Sequence, residues 1–201
     1  TVGGGENRDV VIPTHGTPIP LSDTLLYSDV SRNDKRVSTR MVGLSHVMTR
    51  RWLAGVFASE TRESGYLTEP YKVVSLIDPV SGYTNGQLTE NRPDSRLRRA
   101  ILGNSVYHFQ KDVLYLSYRR YWDDWGVRSH TLDARWRIGM PNERFLQPHV
   151  RFYTQSAADF FRFGVPDGTP LPRYLSSDER LGPLHDVTLG ATYGFRLPQY
   201  P

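Results

Sequence analysis

The chain has 201 residues, no cysteine, and 25 basic against 21 acidic side chains for a formal charge of +4. One domain is the natural expectation at this length. Disulfides, thiolate metal sites and cysteine nucleophiles are excluded, and no run approaches the roughly 18 apolar residues of a membrane helix. Only Lys35, Lys72 and Lys111 are lysines, so the positive charge is almost all arginine, the residue suited to carboxylates and phosphates. The arginines are spread along the chain without a nucleic-acid motif, and nucleic acid is not an expected partner.

Residues 1–34 contain TVGGGEN, IPTHGTPIP and SRND without a sustained period. They read as an irregular loop or extracellular segment, with a short strand near 24–27. From 35 to 201 the chain reads as antiparallel strands. The first two are expected at 35–48 and 51–62 with a tight turn near Thr49. A long loop at 63–95 carries SGYLTEPYK, Asn85-Gly86 and ENRPDSR, all turn chemistry, with a strand inside it at 72–77. Strands follow at 96–109 and 113–122, then, past Asp123, Asp124 and Gly126, at 127–138. Residues 139–142 turn into a strand at 144–156. A second long loop, 157–184, is rich in proline and glycine, and the last strand is 186–196.

Side chains alternate between faces along a strand, so period two means one apolar and one polar face. Leu132, Ala134, Trp136 and Ile138 oppose Thr131, Asp133, Arg135 and Arg137. Leu146, Pro148, Val150 and Phe152 oppose Gln147, His149, Arg151 and Tyr153, and Val187, Leu189, Ala191 and Tyr193 share a face of the last strand. The fold class is therefore all-β, an antiparallel meander with the pattern of a transmembrane β-barrel, apolar toward lipid and polar toward the lumen. Short connections near 49, 111 and 141 fall at one end and the long loops at the other, as in outer-membrane barrels. Trp52-Leu53-Ala54-Gly55-Val56-Phe57 is apolar on both faces, which suits a plugged or narrowed lumen. Seven strands is an odd number, whereas bacterial barrels close with an even one. Either 1–34 hides a strand, or this is the C-terminal part of a larger barrel; the latter is the expectation. A soluble lipocalin-like ligand-binding barrel is the alternative, with every facing inverted, and an outer-membrane hydrolase is a further one.

Arg119, Asp133, Arg135, Arg137 and Arg151 form a candidate lumenal charge ladder, either a structural ion-pair array or an anion-preferring constriction. Tyr121, Trp122, Trp125 and Trp136 are candidates for an interfacial aromatic girdle; a sugar-stacking platform beside Asp123 and Asp124 is the other use of such rings. His149 and Ser156 on one extended strand lie about 23 Å apart and cannot meet. No catalytic residue, metal site or cofactor is expected. The long loops hold Tyr66, Tyr71, Tyr83, Phe161, Phe163 and Tyr174, so they are expected to be ordered and to narrow the mouth beside Arg92, Arg96 and Arg173.

SGYLTEPYK, ENRPDSRLRRA, YLSYRRYWDDWGVRSHTLDARW and VRFYTQSAADFF resemble the DUF3570 family of predicted outer-membrane proteins. The stretches Tyr118 to His130 and Arg151 to Phe160 are the most specific. The resemblance implies a Gram-negative envelope protein in the bacterial outer membrane. Outer-membrane lipid is then one partner, and a periplasmic lipoprotein or redox protein another. It implies no reaction, and the function expected is a pore or an envelope scaffold.

Overall fold

The computed structural model describes residues 34–69 and 71–196 in full, and the backbone of Asn33. Before them it describes only the backbone of four short strands: β1 (Val2–Asn7), β2 (Val11–Ile12), β3 (Pro18–Ile19) and β4 (Asp29–Val30). The strand expected at 24–27 lies outside the described residues. The longer strands are β5 (Asn33–Thr49), β6 (Trp52–Gly65), β9 (Ser95–His108), β10 (Val113–Asp123), β11 (Arg128–Met140), β12 (Arg144–Gln155) and β14 (Leu184–Gly194). These seven fall where the apolar–polar alternation and turn residues place them.

The chain is all-β, without an α-helix among the described residues. Its main sheet has eight strands in the order β1-β5-β6-β9-β10-β11-β12-β14, every neighbouring pair antiparallel. The eighth strand is β1, inside the segment expected to be loop. VGGGEN offers no alternating apolar residues, so its pairing with β5 leaves no periodic signal. Among the described residues no ladder joins the edges β1 and β14.

Connections at one end are short. The β11–β12 turn holds Asn142 at φ 60° and Glu143 at φ 56°, and Glu143 receives Arg196 at 3.1 Å. The two long connections lie at the other end and fold into a cap. There β7 (Val73–Ile77) and β8 (Thr84–Thr89) form a hairpin, joined by β3 and by β13 (Gly164–Pro166), which runs parallel to β7. A strand at 72–77 was expected; β8 was not, because Asn85-Gly86 reads as a turn and here lies within the strand. The turn is made instead by Asp78, whose Oδ1 accepts from the amides of Val80 (2.7 Å) and Ser81 (2.9 Å). Those amide bonds hold its carboxyl below the usual range. A 3-10 turn, Glu179–Leu181, completes the cap.

Packed cores occur in the cap rather than on the sheet. Leu67, Trp125, Val127, Ala158, Phe161 and Leu181 make one cluster; Val74, Leu88, Val165 and Leu175 make a second. The long strands, by contrast, leave large apolar side chains uncovered.

Candidate functional site

Register lines residues up across the strands, so each face of the sheet can be read row by row. On the apolar face Leu44, Val56, Gly103, Tyr118, Leu132, Phe152 and Val187 form one row. His46, Ala54, Ser105, Leu116, Ala134, Val150 and Leu189 form the next. Leu44 is 74% exposed, Val56 59% and Leu189 77%. Contiguous apolar surface on this scale marks an interaction site rather than ordinary scatter.

The opposite face is polar over β10, β11, β12 and β14, and over β5, β6 and β9 it mixes polar side chains with Val37, Leu53, Phe57, Leu102 and Val106. Asp133 lies in register between Ser117 and Arg151, and Arg135 between Tyr115 and His149. Asp133 Oδ1 is 3.3 Å from Arg135 Nε, and its Oδ2 is 2.7 Å from His149 Nε2. Arg135 also lies over the Tyr115 ring at 5.5 Å, Arg137 over Phe145 at 3.9 Å and Arg119 over Tyr121 at 5.8 Å. The candidate ladder therefore shares a face, but Asp133–Arg135 is its one ion pair among the described residues. Arg119 and Arg137 are supported by aromatic rings, and His149 joins Asp133, a pairing the sequence reading did not identify. Ser156 Oγ accepts from Arg128 N at 2.9 Å and donates to Gly126 O at 3.1 Å, so His149 and Ser156 have different partners. Toward β5, Phe57 lies over Gly43, where a Cβ would collide with its ring.

Over the capped end of this face the carboxylates of Glu63, Glu90, Asp123 and Asp178 are buried and paired. Asp123 takes Arg96 Nη2 at 2.6 Å and Nε at 2.9 Å, the Tyr121 hydroxyl at 2.7 Å, and the amides of Trp125 and Val127. Glu63 pairs with Arg98 and, at 3.6 Å, with Lys35. Deeper, the fully buried Glu90 side chain faces Arg92 Nε at 2.7 Å. It also accepts from Ser176 Oγ at 2.5 Å and from the Glu69 amide at 2.6 Å. Arg92 reaches Asp178, which Arg180 grips from the solvent side at 2.6 Å before extending to Glu69 at 3.1 Å. Burial works to raise the Asp178 pKa, but the hydrogen bonds from Arg180 and Arg92 outweigh it and hold the carboxyl far below its ordinary value. Arg180 is raised in turn, chiefly by Asp178. Burial, then the charges of Glu90 and Glu69, push the Tyr66 phenol up to about 12. A polar cavity of about 270 Å³ lies between these groups and the sheet.

The expected girdle is corrected in two members. Trp136 is 47% exposed, in one apolar-face row with Trp52, Tyr107 and Leu114 near the short turns. Trp122 lies on the same face toward the cap. Tyr121 has the other strand parity and points to the polar face, bonded to Asp123. Trp125 follows the end of β10, folds inward and is 4% exposed, edge-on to Phe160 at 5.1 Å and bonded through Nε1 to Ser95 O. Arg92 likewise does not line a mouth, since it is buried between Glu90 and Asp178; Arg173 sits over Tyr174 at 5.1 Å. Among the described residues no cluster of His, Asp and Glu is arranged to hold a metal ion.

The model of a family described as a protein of unknown function, DUF3570, matches residues 5–200. No curated protein and no solved structure matches the chain.

Proposed function

We propose that this chain, which belongs to the DUF3570 family, is a non-catalytic β-barrel protein of the bacterial outer membrane, with its apolar face against lipid. The exposed apolar rows carry the reading. A bilayer would cover Leu44, Val56, Leu132, Phe152, Val187 and Leu189 at once, whereas water leaves them uncovered. A lipocalin-like barrel would instead have buried these side chains in its interior. The strands run from 11 to 17 residues, more than the roughly 9–11 a tilted membrane strand needs. The packed cores sit beyond the rows, in the cap, where water rather than lipid is the solvent.

On this reading the Asp133–Arg135–His149 group and its neighbouring arginines face a lumen narrowed by the cap, with an arginine excess favouring anions. Lipid is the partner along the sheet. A periplasmic lipoprotein or redox protein, the partner implied by the family resemblance, would meet the short-turn end.

Single-tryptophan variants test it. With Trp52, Trp122 and Trp125 changed to Phe, the remaining Trp136 should be quenched by vesicles carrying brominated acyl chains. With Trp125 alone retained, quenching should be weak. An unquenched Trp136, in a protein monodisperse without detergent, would overturn the membrane assignment.

A further inference from the structure

Charge on the apolar face is concentrated at the capped end; at the short-turn end the strands place Arg144 on it, opposite Met140. Arg40, Glu60, Arg99, Trp122 and Arg128 form a row across five strands immediately beyond the apolar rows. Arg62 lies one same-face position farther out on β6, and Arg120 one position closer in on β10. All five of these arginines are exposed. Glu60 is the row's one carboxylate, and it is already engaged by Arg99 Nε at 3.1 Å and Arg62 Nε at 3.3 Å. Arg40, Arg120 and Arg128 make no ion pair among the described residues; Arg120 lies over the Trp122 ring at 5.8 Å. The matching row at the other end, Trp52, Tyr107, Leu114 and Trp136, has no charge at all.

Directly below the guanidinium row is a groove of about 400 Å³ whose apolar lining includes Val42, Ala58, Ile101 and Trp122, with Arg40 and Arg99 at its rim. Ala58 creates the depth, since its short side chain lies in register between Val42 and Ile101. Guanidinium groups take phosphate oxygens in paired, charge-assisted hydrogen bonds. A molecule matching both parts carries phosphate at one end and hydrocarbon at the other.

We propose that this belt and groove form a binding site for an anionic, phosphate-bearing lipid, its headgroup on Arg40, Arg99, Arg120 and Arg128 and an acyl chain along Val42, Ala58 and Ile101. The proposal rests on the membrane reading and deepens it, giving the leaflet on the capped side a lipid preference that the short-turn side lacks.

The test is native mass spectrometry of the detergent-solubilised full chain titrated with phosphatidylglycerol and, separately, phosphatidylcholine. The native chain should retain phosphatidylglycerol preferentially. The triple variant Arg40→Gln, Arg120→Gln, Arg128→Gln should lose about tenfold or more of that affinity, and its phosphatidylcholine binding should not change. Arg137→Gln on the opposite face should keep the preference. Equal retention of the two lipids by the native chain would overturn the site, as would an unaltered preference in the triple variant. Displacement by inorganic phosphate at matched concentration would mean a free-phosphate site and overturn the lipid assignment. Quenching of Trp136 by brominated chains does not depend on headgroup, so failure of this site and failure of the membrane reading are separable.

Discussion

Arg92 Nη2 donates to Asp178 Oδ2 at 2.8 Å across 86 residues of sequence, joining the two long connections beneath the cap. The same guanidinium neutralises Glu90, whose side chain is fully buried. Arg92→Met would leave the buried Glu90 carboxylate without its cation, although Arg180 still holds Asp178, a loss of about 3–5 kcal/mol by the usual cost of orphaning a buried charge. The expected result is rapid proteolysis within 63–95 and 157–184 while the main sheet stays folded. A variant as resistant as the native chain would remove the clasp from the account.

The cap should have acid and alkaline limits of different origin. Asp178 is more acidic folded than unfolded, so its contribution is complete at neutral pH and is lost as pH falls from about 4 toward its depressed value. Tyr66 is less acidic folded than unfolded. Stability should therefore fall as pH rises from the ordinary phenol value near 10 to about 12, where the folded phenol also ionises. Protease resistance should hold from about pH 5 to 9 and fail at both extremes. Tyr66→Phe should relieve the alkaline loss alone.

On the membrane reading, adjacent residues on β14 should face lipid and water. Leu189 belongs to the apolar row and Thr188 to the opposite face. In vesicles Leu189→Arg should cost about 2–4 kcal/mol if it lies near the midplane, with Thr188→Arg far milder. In water a side chain as exposed as Leu189 would tolerate the change within about 0.5 kcal/mol. Denaturant midpoints in vesicles provide the comparison.

Planar bilayers test the polar face. If the full chain conducts, Arg135→Glu or Arg151→Glu should shift its ion preference toward cations. Silence in the bilayer would favour a scaffold over a pore.

The sheet was legible where two conditions coincide: alternation and turn residues at both ends, as in β11 and β12. It was illegible where too few apolar residues set a period. β1 is glycine-rich, and β8 (TNGQLT) contains Leu88 as its single large apolar side chain, so neither generates a period. Tyr121 and Trp122 are neighbours in sequence and face opposite ways, a distinction available from strand parity. Trp125 lies past the strand end, where parity no longer applies and packing against Phe160 and Leu67 decides. The Glu69–Glu90–Arg92–Asp178–Arg180 clasp had no local signature, because its members are brought together by the folding of two separate connections.

The cap is stitched from distant segments: Asn85 to Asp167, Glu90 to Ser176, and Glu69 to Arg180, separated by 82, 86 and 111 residues. Contacts of such span carry a loop-closure entropy that the intervening hairpins must first absorb. β9 to β12 all lie between the two connections, so closing the clasp before those strands pair would cost the most loop entropy. Cap closure should therefore come late in assembly, with Arg92–Asp178 forming only on a sheet whose strands are already in register.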